Sequence, residues 1–527
     1  MTHRPLSAPS PDRPALSRIG IFGLMLGIVL ATLDGQIVST ALPTVVGDLG
    51  GLDLFSWSVT AYLLAMAAAT PLWGKIGDLY GRKSAYRNSL LVFLLGSSLC
   101  GLAQTMEQLI AFRAVQGLGA GGLMVGALAL IGVLVPPGER GRVQSMVGIM
   151  LPISFVGGPL LGGVITDYLD WRWTFYVNLP VGALALVAVF IGVRLPARRI
   201  AGRVDYPGVV LLTTGVLALT LFAGWAGTTY PWVSWQLASL ALLVVVCLTW
   251  FVRVERRAEE AIIPPRLFAS RQFTLAQILS FLVGAVLVSV VNYLPQYMQF
   301  VQGATPTVSG MLILPLMLGM LSAQLITGRL LDRGGLDRVM PLAGGTVATA
   351  GALLLLLLGT GTPVAAASAL TLVIGTGVGI LMQSSLLTTM NTAAPRDMGA
   401  ATGTVTLVRT LGGSLGVAVL GAVHSSRVSD ILTERLGADT AGRLTSGGEL
   451  TPALLDGLPA QVRLTVEESV SSGLRGVVLG AAVLALIAFG IALLVRAAPA
   501  PAAVTTPGPA APDDTRDKNP LRTPPAH

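Results

Sequence analysis

Charged residues are scarce in this 527-residue chain: Asp, Glu, Lys and Arg make up 11% of it, whereas 53% of its residues are hydrophobic. Ordinary soluble domains carry about 25% charged residues. A soluble protein of this length would have too few charges to cover its surface, so lipid is the expected solvent. The net charge of +8 does not indicate nucleic acid as a partner, because the basic residues lie in short segments between apolar runs.

Cysteine, histidine and nucleotide-binding motifs are equally sparse. Cys100 and Cys247 both lie within apolar runs, which argues against a disulfide framework. His3, His424 and His527 are widely separated, and two of them lie in the terminal tails, so no metal cluster is expected. The chain has no GxxxxGK[ST] phosphate loop, which argues against ATP as its energy source. We therefore expect no enzyme active site, cofactor or metal.

Long apolar runs dominate the sequence instead. Runs of about 17–27 residues recur, and this is the length that a helix needs to cross about 30 Å of hydrocarbon. The sequence therefore predicts an all-α polytopic membrane protein. Fourteen transmembrane helices are expected, at residues 19–42, 56–75, 86–104, 108–134, 141–166, 173–194, 207–227, 235–254, 273–297, 307–331, 340–358, 363–391, 398–424 and 473–496.

The positions of the basic residues predict the orientation. Most of the 34 Lys and Arg residues fall in segments that face the cytoplasm if the N-terminus is inside, which predicts that both termini are cytoplasmic. Residues 1–18 and 497–527 are rich in Pro, Ala and charge, and are expected to be disordered tails. Residues 425–472 are predicted to form the one long extracytoplasmic loop, serving as a connector, a lid or a docking segment.

A charged turn occurs twice, each time after a long apolar run. GKIGDLYGRK at 74–83 is echoed by GRLLDRGG at 328–335, and both turns are predicted on the cytoplasmic face. A repeated turn of this kind indicates two related halves, as in many secondary transporters. The shared positions are Gly74, Asp78 and Gly81 in the first copy, and Gly328, Asp332 and Gly335 in the second.

Several further motifs follow one another in a characteristic order. They are LDGQIVSTALP at 33–43, RAVQGLGAGG at 113–122, GGPLLGG at 157–163, WRWTFYVNLP at 171–180, LPQYMQFVQGATPTVSGMLILP at 294–315 and RTLGGSLGVAV at 409–419. Together with the repeated turn, they resemble the signature motifs of the major facilitator superfamily, in its fourteen-helix drug:proton antiporter branch. The resemblance covers about residues 20–425 and 473–496.

This resemblance implies an architecture and a function. It implies a six-helix bundle at 19–194, two inserted helices at 207–254 and a second six-helix bundle at 273–496. It also implies alternating access, with export of small hydrophobic, often cationic, compounds in exchange for protons across a prokaryotic cytoplasmic membrane. The protein is expected to work as a monomer, driven by the proton gradient. A dedicated exporter of one metabolite, antibiotic, peptide or lipid, and a non-transporting scaffold or receptor, are the alternatives.

Asp34 and Arg113 are the candidates for proton coupling. An acid inside a spanning helix is costly and is therefore a functional candidate. At about 1.5 Å per residue, Asp34 lies about 12 Å and Arg113 about 8 Å from the outer surface, so the two side chains can pair. Substrate would stabilise the ionised carboxylate, and protonation from outside would release the substrate. The alternative is a structural role for both residues.

The first charged turn is the candidate cytoplasmic gate. Asp78 is expected to meet the positive N-terminal end of the helix that starts near Gly399, as the resemblance suggests. Arg82 is expected to reach Glu139, and the second copy is expected to form a weaker latch through Asp332. The alternative is that these charges only enforce topology. The gate candidates are Gly74, Asp78, Gly81, Arg82, Lys83, Glu139 and Asp332.

Two other sets of residues are singled out. The fifth predicted span contains a glycine–proline motif that is expected to kink the helix, as in antiporters or as an ordinary kink, at Gly157, Gly158, Pro159, Gly162 and Gly163. Polar and aromatic side chains within spans either line a cavity or join helices. The cavity candidates are Gln116, Tyr62, Asn292, Gln296, Gln383 and Arg409.

Overall fold

A computed structural model describes residues 15–50, 55–195, 205–226, 230–258, 260–304, 306–332, 336, 338–359, 362–437 and 459–495. The predicted C-terminal tail at 497–527 lies outside these residues. Of the predicted N-terminal tail, Ala15–Leu16 form strand β1, which pairs antiparallel with β2 at Val193–Arg194. Ser17 then caps the first helix by accepting a hydrogen bond from the Gly20 N–H at 3.2 Å. The tail therefore ends earlier than predicted.

Helices make up nearly all of the described chain. The first half contains α1 Arg18–Leu49, α2 Phe55–Tyr80, α3 Arg82–Gly101, α4 Met106–Leu134, α5 Pro137–Tyr168, α6 Trp173–Tyr176 and α7 Asn178–Gly192. The inserted pair is α8 Tyr206–Trp225 and α9 Trp235–Glu255. The second half contains α10 Arg271–Phe300, α11 Pro306–Met311, α12 Leu314–Asp332, α13 Val339–Leu355, α14 Val364–Thr392, α15 Met398–Leu436 and α16 Ala460–Leu493.

In the described ranges, ten helical stretches are long and apolar enough to cross a membrane. The all-helical membrane fold is therefore confirmed, while the number of fourteen spans stays a prediction. The helix α13 is apolar but only 17 residues long. Two predicted spans are broken: Val177 separates α6 from α7, and residues 312–313 separate α11 from α12.

The chain packs as two halves with the inserted pair at their side. The helices α2 and α5 of the first half contact α15 and α12 of the second. The helices α8 and α9 pack on each other, and α8 also contacts α2 and α15. We call the end where α2 and α4 finish and α15 begins the turn end, and the opposite end, where α15 finishes, the loop end.

The predicted loop at 425–472 is shorter in the structure. The helix α15 continues to Leu436 and α16 begins at Ala460, so both ends of the predicted loop are helical. The helices extend because Val428 and Leu432 of α15 pack against Val466 and Val470 of α16. The mixed polarity of the segment does not predict this apolar contact. These pairs are four residues apart and therefore share a helix face. Residues 438–458 lie outside the described residues.

Candidate functional site

The Asp34 carboxylate lies at the centre of a buried network in the first half. Arg113 Nη1 donates to Oδ2, and the two side chains form an ion pair with no exposed surface. Oδ1 accepts from Gln116 Nε2 at 2.8 Å and from Asn178 Nδ2 at 2.7 Å. A buried charge is tolerated only when it is paired and hydrogen-bonded, and here both carboxylate oxygens have partners.

The Arg113 guanidinium is held in turn by α2. Its Cζ lies 4.0 Å from the centroid of the Tyr62 ring, and its Nε donates to the Ser58 carbonyl at 3.4 Å. This contact requires α2 and α4 to lie very close together. A Cβ at Gly117 would lie 2.3 Å from the Tyr62 carbonyl oxygen, so only glycine fits there. The glycines after Arg113 thus place the aromatic ring over its charge.

Asn178 and Ser97 belong to the network but were not predicted as site residues. Asn178 is the first residue of α7, and its amide also donates to Ser97 Oγ at 2.9 Å. Ser97 Oγ donates to the Phe175 carbonyl at 2.8 Å. One feature of the sequence could have indicated Asn178: its amide lies at the start of an apolar run, within WRWTFYVNLP. The network therefore joins α1, α3, α4 and α7.

The cavity candidates divide into buried and exposed groups. Gln116 and Tyr62 are buried within the Asp34 network, so the structure does not place them on a cavity surface. Gln383 is buried in α14, and its Nε2 has no hydrogen-bond partner in the described structure. Asn292 and Gln296 of α10 are exposed, and Arg409 of α15 is partly exposed.

Asp78 joins the two halves at the turn end. Its Oδ1 accepts the Gly399 N–H at 3.0 Å and its Oδ2 accepts the Ala400 N–H at 2.9 Å, at the first turn of α15. These N–H groups have no partner within the helix and carry the positive end of its dipole. Arg82 donates to Asp78 Oδ1 at 2.6 Å and also to the Pro395 carbonyl.

The predicted contact between Arg82 and Glu139 is not present. Asp78 lies four residues before Arg82 and holds its guanidinium, while Glu139 is exposed at the start of α5. Its neighbour Arg140 provides the inter-half contact instead, with Nη1 donating to Asn391 Oδ1 at 3.2 Å. Lys83 binds within the first half, donating to the Val193 carbonyl at 2.6 Å.

Glycines allow the two halves to touch at this candidate gate. A Cβ on Gly74 would lie 2.5 Å from the Gly399 carbonyl oxygen, whereas the nearest atom to a Cβ on Gly77 would be 3.6 Å away. Gly81 has φ +100°, which glycine adopts without strain, and it precedes α3. The second turn copy offers no comparison, because the Asp332 side chain is outside the description.

The segment after α9 reinforces the turn end. Lys75 Nζ pairs with Glu260 at 2.6 Å, and Arg266 Nη2 pairs with Asp397 Oδ1 at 2.7 Å. Glu255 accepts the N–H groups of Ile262 and Ile263, which folds this segment back onto α9. The connection between the inserted pair and the second half thus binds α2 on one side and the start of α15 on the other.

The glycine–proline motif of α5 packs against α1. A Cβ on Gly158 would lie 2.3 Å from Gln36 Cβ, and one on Gly162 would lie 2.8 Å from the Ile37 carbonyl oxygen. Gly157 is in looser contact, and no atom of the described residues lies within 4 Å of a Cβ on Gly163. The helix is continuous through Pro159, whose side chain is outside the description. The motif therefore brings α5 against the Asp34 helix.

Gly158→Leu is expected to separate α1 from α5. Overpacking costs about 1–3 kcal/mol, so the thermal unfolding midpoint of the purified variant should fall by several degrees, together with its transport activity. Gly163→Leu is the matched control, because no described atom lies within 4 Å of its Cβ, five residues further along the same motif. Equal melting temperatures for Gly158→Leu and wild type would refute this packing role.

Comparisons with known proteins agree with this architecture. The family model described as Major Facilitator Superfamily matches residues 24–208 and 208–417. An uncharacterised MFS-type transporter of Mycobacterium tuberculosis is 38% identical over 503 residues, covering 94% of this chain and 73% of the relative. Multidrug resistance protein 3 of Bacillus subtilis is 34% identical over 438 residues, covering 83% of this chain and 84% of the relative.

Solved structures show the same fold at low sequence identity. The human organic anion transporter MFSD10 has a TM-score of 0.59 at 15% identity, covering 89% of this chain and 99% of that chain. The proton:xylose symporter XylE has a TM-score of 0.57 at 14% identity, covering 88% and 94%. The ordered motifs, the helical architecture and the match over both halves lead to one conclusion: this multi-span membrane protein belongs to the Major Facilitator Superfamily of transporters.

Proposed function

We propose that this protein is a proton-coupled efflux antiporter for small lipophilic compounds. It would work as a monomer in the cytoplasmic membrane, with both termini and the turn end on the cytoplasmic side. The proton gradient would supply the energy without a cofactor. Relatives named as efflux pumps support export as the direction of transport, and the excess of basic residues at the turn end supports the orientation.

The single observation that carries the proposal is the buried Asp34 network. A carboxylate with no exposed surface, accepting hydrogen bonds from Arg113, Gln116 and Asn178, is stable in its charged form only while these donors stay in place. Protonation would remove one of the charges and leave Arg113 buried without its counter-ion, which is costly. Proton binding would therefore reorganise the packing of α1, α4 and α7.

Such a reorganisation would act on the cargo by opening and closing the candidate gate. The inter-half hydrogen bonds of Asp78, Arg82 and Arg140 lie at the turn end, which is closed in this conformation. Asp78 accepts two backbone N–H groups and pairs with Arg82, and the Arg82 and Asp78 side chains are only 13% and 6% exposed. The contact of such an acid with a helix N-terminus contributes about 0.3–2 kcal/mol. Contacts of this strength bias an equilibrium between open and closed states without fixing it.

Transport in liposomes tests the proposal. Purified protein is reconstituted with an acidic interior, and uptake of rhodamine 6G, a cation, and sulforhodamine B, an anion on the same ring system, is followed by fluorescence. Proton efflux should drive accumulation of at least one dye, and a protonophore should abolish it. Dye movement that is indifferent to the imposed pH gradient would overturn proton coupling, and no protein-dependent movement of either dye would overturn export.

A further inference from the structure

Arg409 is a cation in the middle of α15 without a counter-ion. Its side chain is partly exposed, and within the described ranges it makes no hydrogen bond or ion pair. At about 1.5 Å per residue, it lies about 16 Å from the turn end. A guanidinium carries five donors and stays charged at physiological pH, so leaving it unpaired at this depth is unfavourable unless it faces water or a ligand.

The packing of α15 shows which way Arg409 faces. Val405, one turn closer to the turn end, is buried in the core that α15 shares with α4 of the first half and α14 of the second. Residues four apart lie on one helix face. Arg409 is therefore the next side chain on the face that carries Val405, between the central core and Gly413, which packs against Val288 of α10.

Gln383 reaches the same level from α14. Met390 of α14 belongs to the same central core, and Gln383 lies seven residues before it, two turns further from the turn end on the same face. This places Gln383 about 14 Å from the turn end, close to the depth of Arg409. Its Nε2 is buried and has no hydrogen-bond partner among the described residues. Gln383 thus offers one unsatisfied donor at the depth of the partly exposed Arg409 side chain, on a helix that also contacts α15.

The charge balance of the central region is positive. Asp34 is the one acid in the middle of a described spanning helix, and it is fully buried with both oxygens occupied. Arg113 neutralises it within the first half, so Asp34 offers no free carboxylate to a cationic cargo. Among the described residues of the second half, Arg409 has no equivalent partner.

We propose that Arg409 and Gln383 form a recognition site for one anionic group, a carboxylate or sulfonate, on an amphipathic organic cargo. The guanidinium would bind the group through two parallel hydrogen bonds, and the Gln383 amide would donate a third. This reverses the cationic preference that the family resemblance implies. The proposal specifies the substrate class of the proposed exporter. It rests on the proposed function only for the direction in which the anion is transported.

The charge of the cargo has a consequence for energetics. Exchange of one inward proton for one outward anion moves two positive charge equivalents inward, whereas exchange for a monovalent cation moves none. Export of an anion would therefore accelerate with an inside-negative membrane potential. Dye flux at a fixed pH gradient, measured with and without a potassium diffusion potential, distinguishes electrogenic exchange for an anion from electroneutral exchange for a cation.

Direct binding tests the site without requiring transport. Sulforhodamine B and rhodamine 6G are titrated against the purified full chain in detergent, and fluorescence anisotropy is recorded. Wild type should bind sulforhodamine B more tightly. Arg409→Gln should weaken its binding about 10–100-fold while changing rhodamine 6G binding no more than about twofold, as expected for loss of charged hydrogen bonds. Arg409→Glu should reverse the preference, and Gln383→Leu should weaken sulforhodamine B binding about 3–10-fold.

Arg427→Gln is the matched control, because it removes a positive charge from the same helix five turns nearer the loop end. It should leave the binding of both dyes unchanged. Arg409→Lys keeps the charge and should therefore retain part of the sulforhodamine B affinity. This variant distinguishes loss of the anion contact from misfolding. A wild type that binds only rhodamine 6G, or an Arg409→Gln variant that weakens both dyes alike, would overturn the proposal.

The two proposals fail in different ways. Binding of sulforhodamine B that depends on Arg409, without any flux driven by a pH gradient, would leave the anion site intact and refute proton-coupled export. Flux of rhodamine 6G alone, driven by a pH gradient, would support the exporter and refute the anion site.

Discussion

Asp34→Asn is expected to lower pH-gradient-driven dye uptake by at least about tenfold while preserving dye exchange without a gradient. Asparagine has the size of aspartate and still accepts one hydrogen bond, but it cannot carry a proton. It also leaves Arg113 buried without a counter-ion, which costs about 3–5 kcal/mol when a buried pair is broken. Driven uptake and dye counterflow are measured in the same liposomes. Loss of driven uptake with preserved counterflow indicates a defect in coupling, whereas loss of both indicates a defect in folding.

Asp48→Asn is the matched control on the same helix. Asp48 lies beyond the apolar stretch of α1, which ends at Leu42, and it accepts a hydrogen bond from Trp171 Nε1 at 2.9 Å. The Trp171 indole and the Arg172 guanidinium hold the pKa of Asp48 below its usual range. A lowered pKa keeps the group ionised at neutral pH, so Asp48→Asn should leave the coupling unchanged. Equal driven uptake by Asp34→Asn and Asp48→Asn would remove Asp34 from the mechanism.

Gly74→Ala is expected to hold the turn end open. Its Cβ would lie 2.5 Å from the Gly399 carbonyl oxygen, on backbone that cannot move without separating α2 from α15. An overpacking cost of about 1–3 kcal/mol falls on the closed state alone and shifts the equilibrium roughly 5–150-fold towards the open state. Driven transport should fall accordingly, since the cycle requires both states.

Spin labels measure this shift directly. Glu139 and Arg396 are exposed on opposite halves of the turn end, so cysteines placed there can carry labels for pulsed distance measurements. Gly74→Ala should move the distribution to longer distances. Gly77→Ala is the control, because its Cβ would meet its nearest neighbour at an ordinary 3.6 Å. A distribution in Gly74→Ala that matches both wild type and Gly77→Ala would contradict the gate.

Some contacts of the site follow from local sequence rules. Asp34 and Arg113 were predicted as partners because each is an isolated charge in an apolar run and their depths agree. Asp78 was expected at the start of α15 because the family resemblance suggests it, and the attraction of a helix N-terminus for an acid is the physical reason. The structure places both pairs in contact, although their roles in coupling and gating stay predictions.

Other contacts could not be read from the chain. Arg82 was predicted to reach Glu139, but Asp78 is nearer, since residues four apart on a helix are neighbours. Asn178 follows the break between α6 and α7 and, with Ser97, completes the Asp34 network. Hydropathy does not predict such a break, because the apolar run is continuous. The helical continuation of α15 beyond residue 425 likewise depends on a partner in α16.

Composition, apolar length and the order of short motifs are enough to predict the solvent, the helical class and the family. Which charges have partners depends on how the helices pack. Asp34 and Arg409 are both isolated charges in apolar runs, yet one is enclosed by three donors and the other has no partner in the described structure. The physical reason is that electrostatic pairing acts over a few ångströms between helices distant in the chain, and no local pattern records that distance.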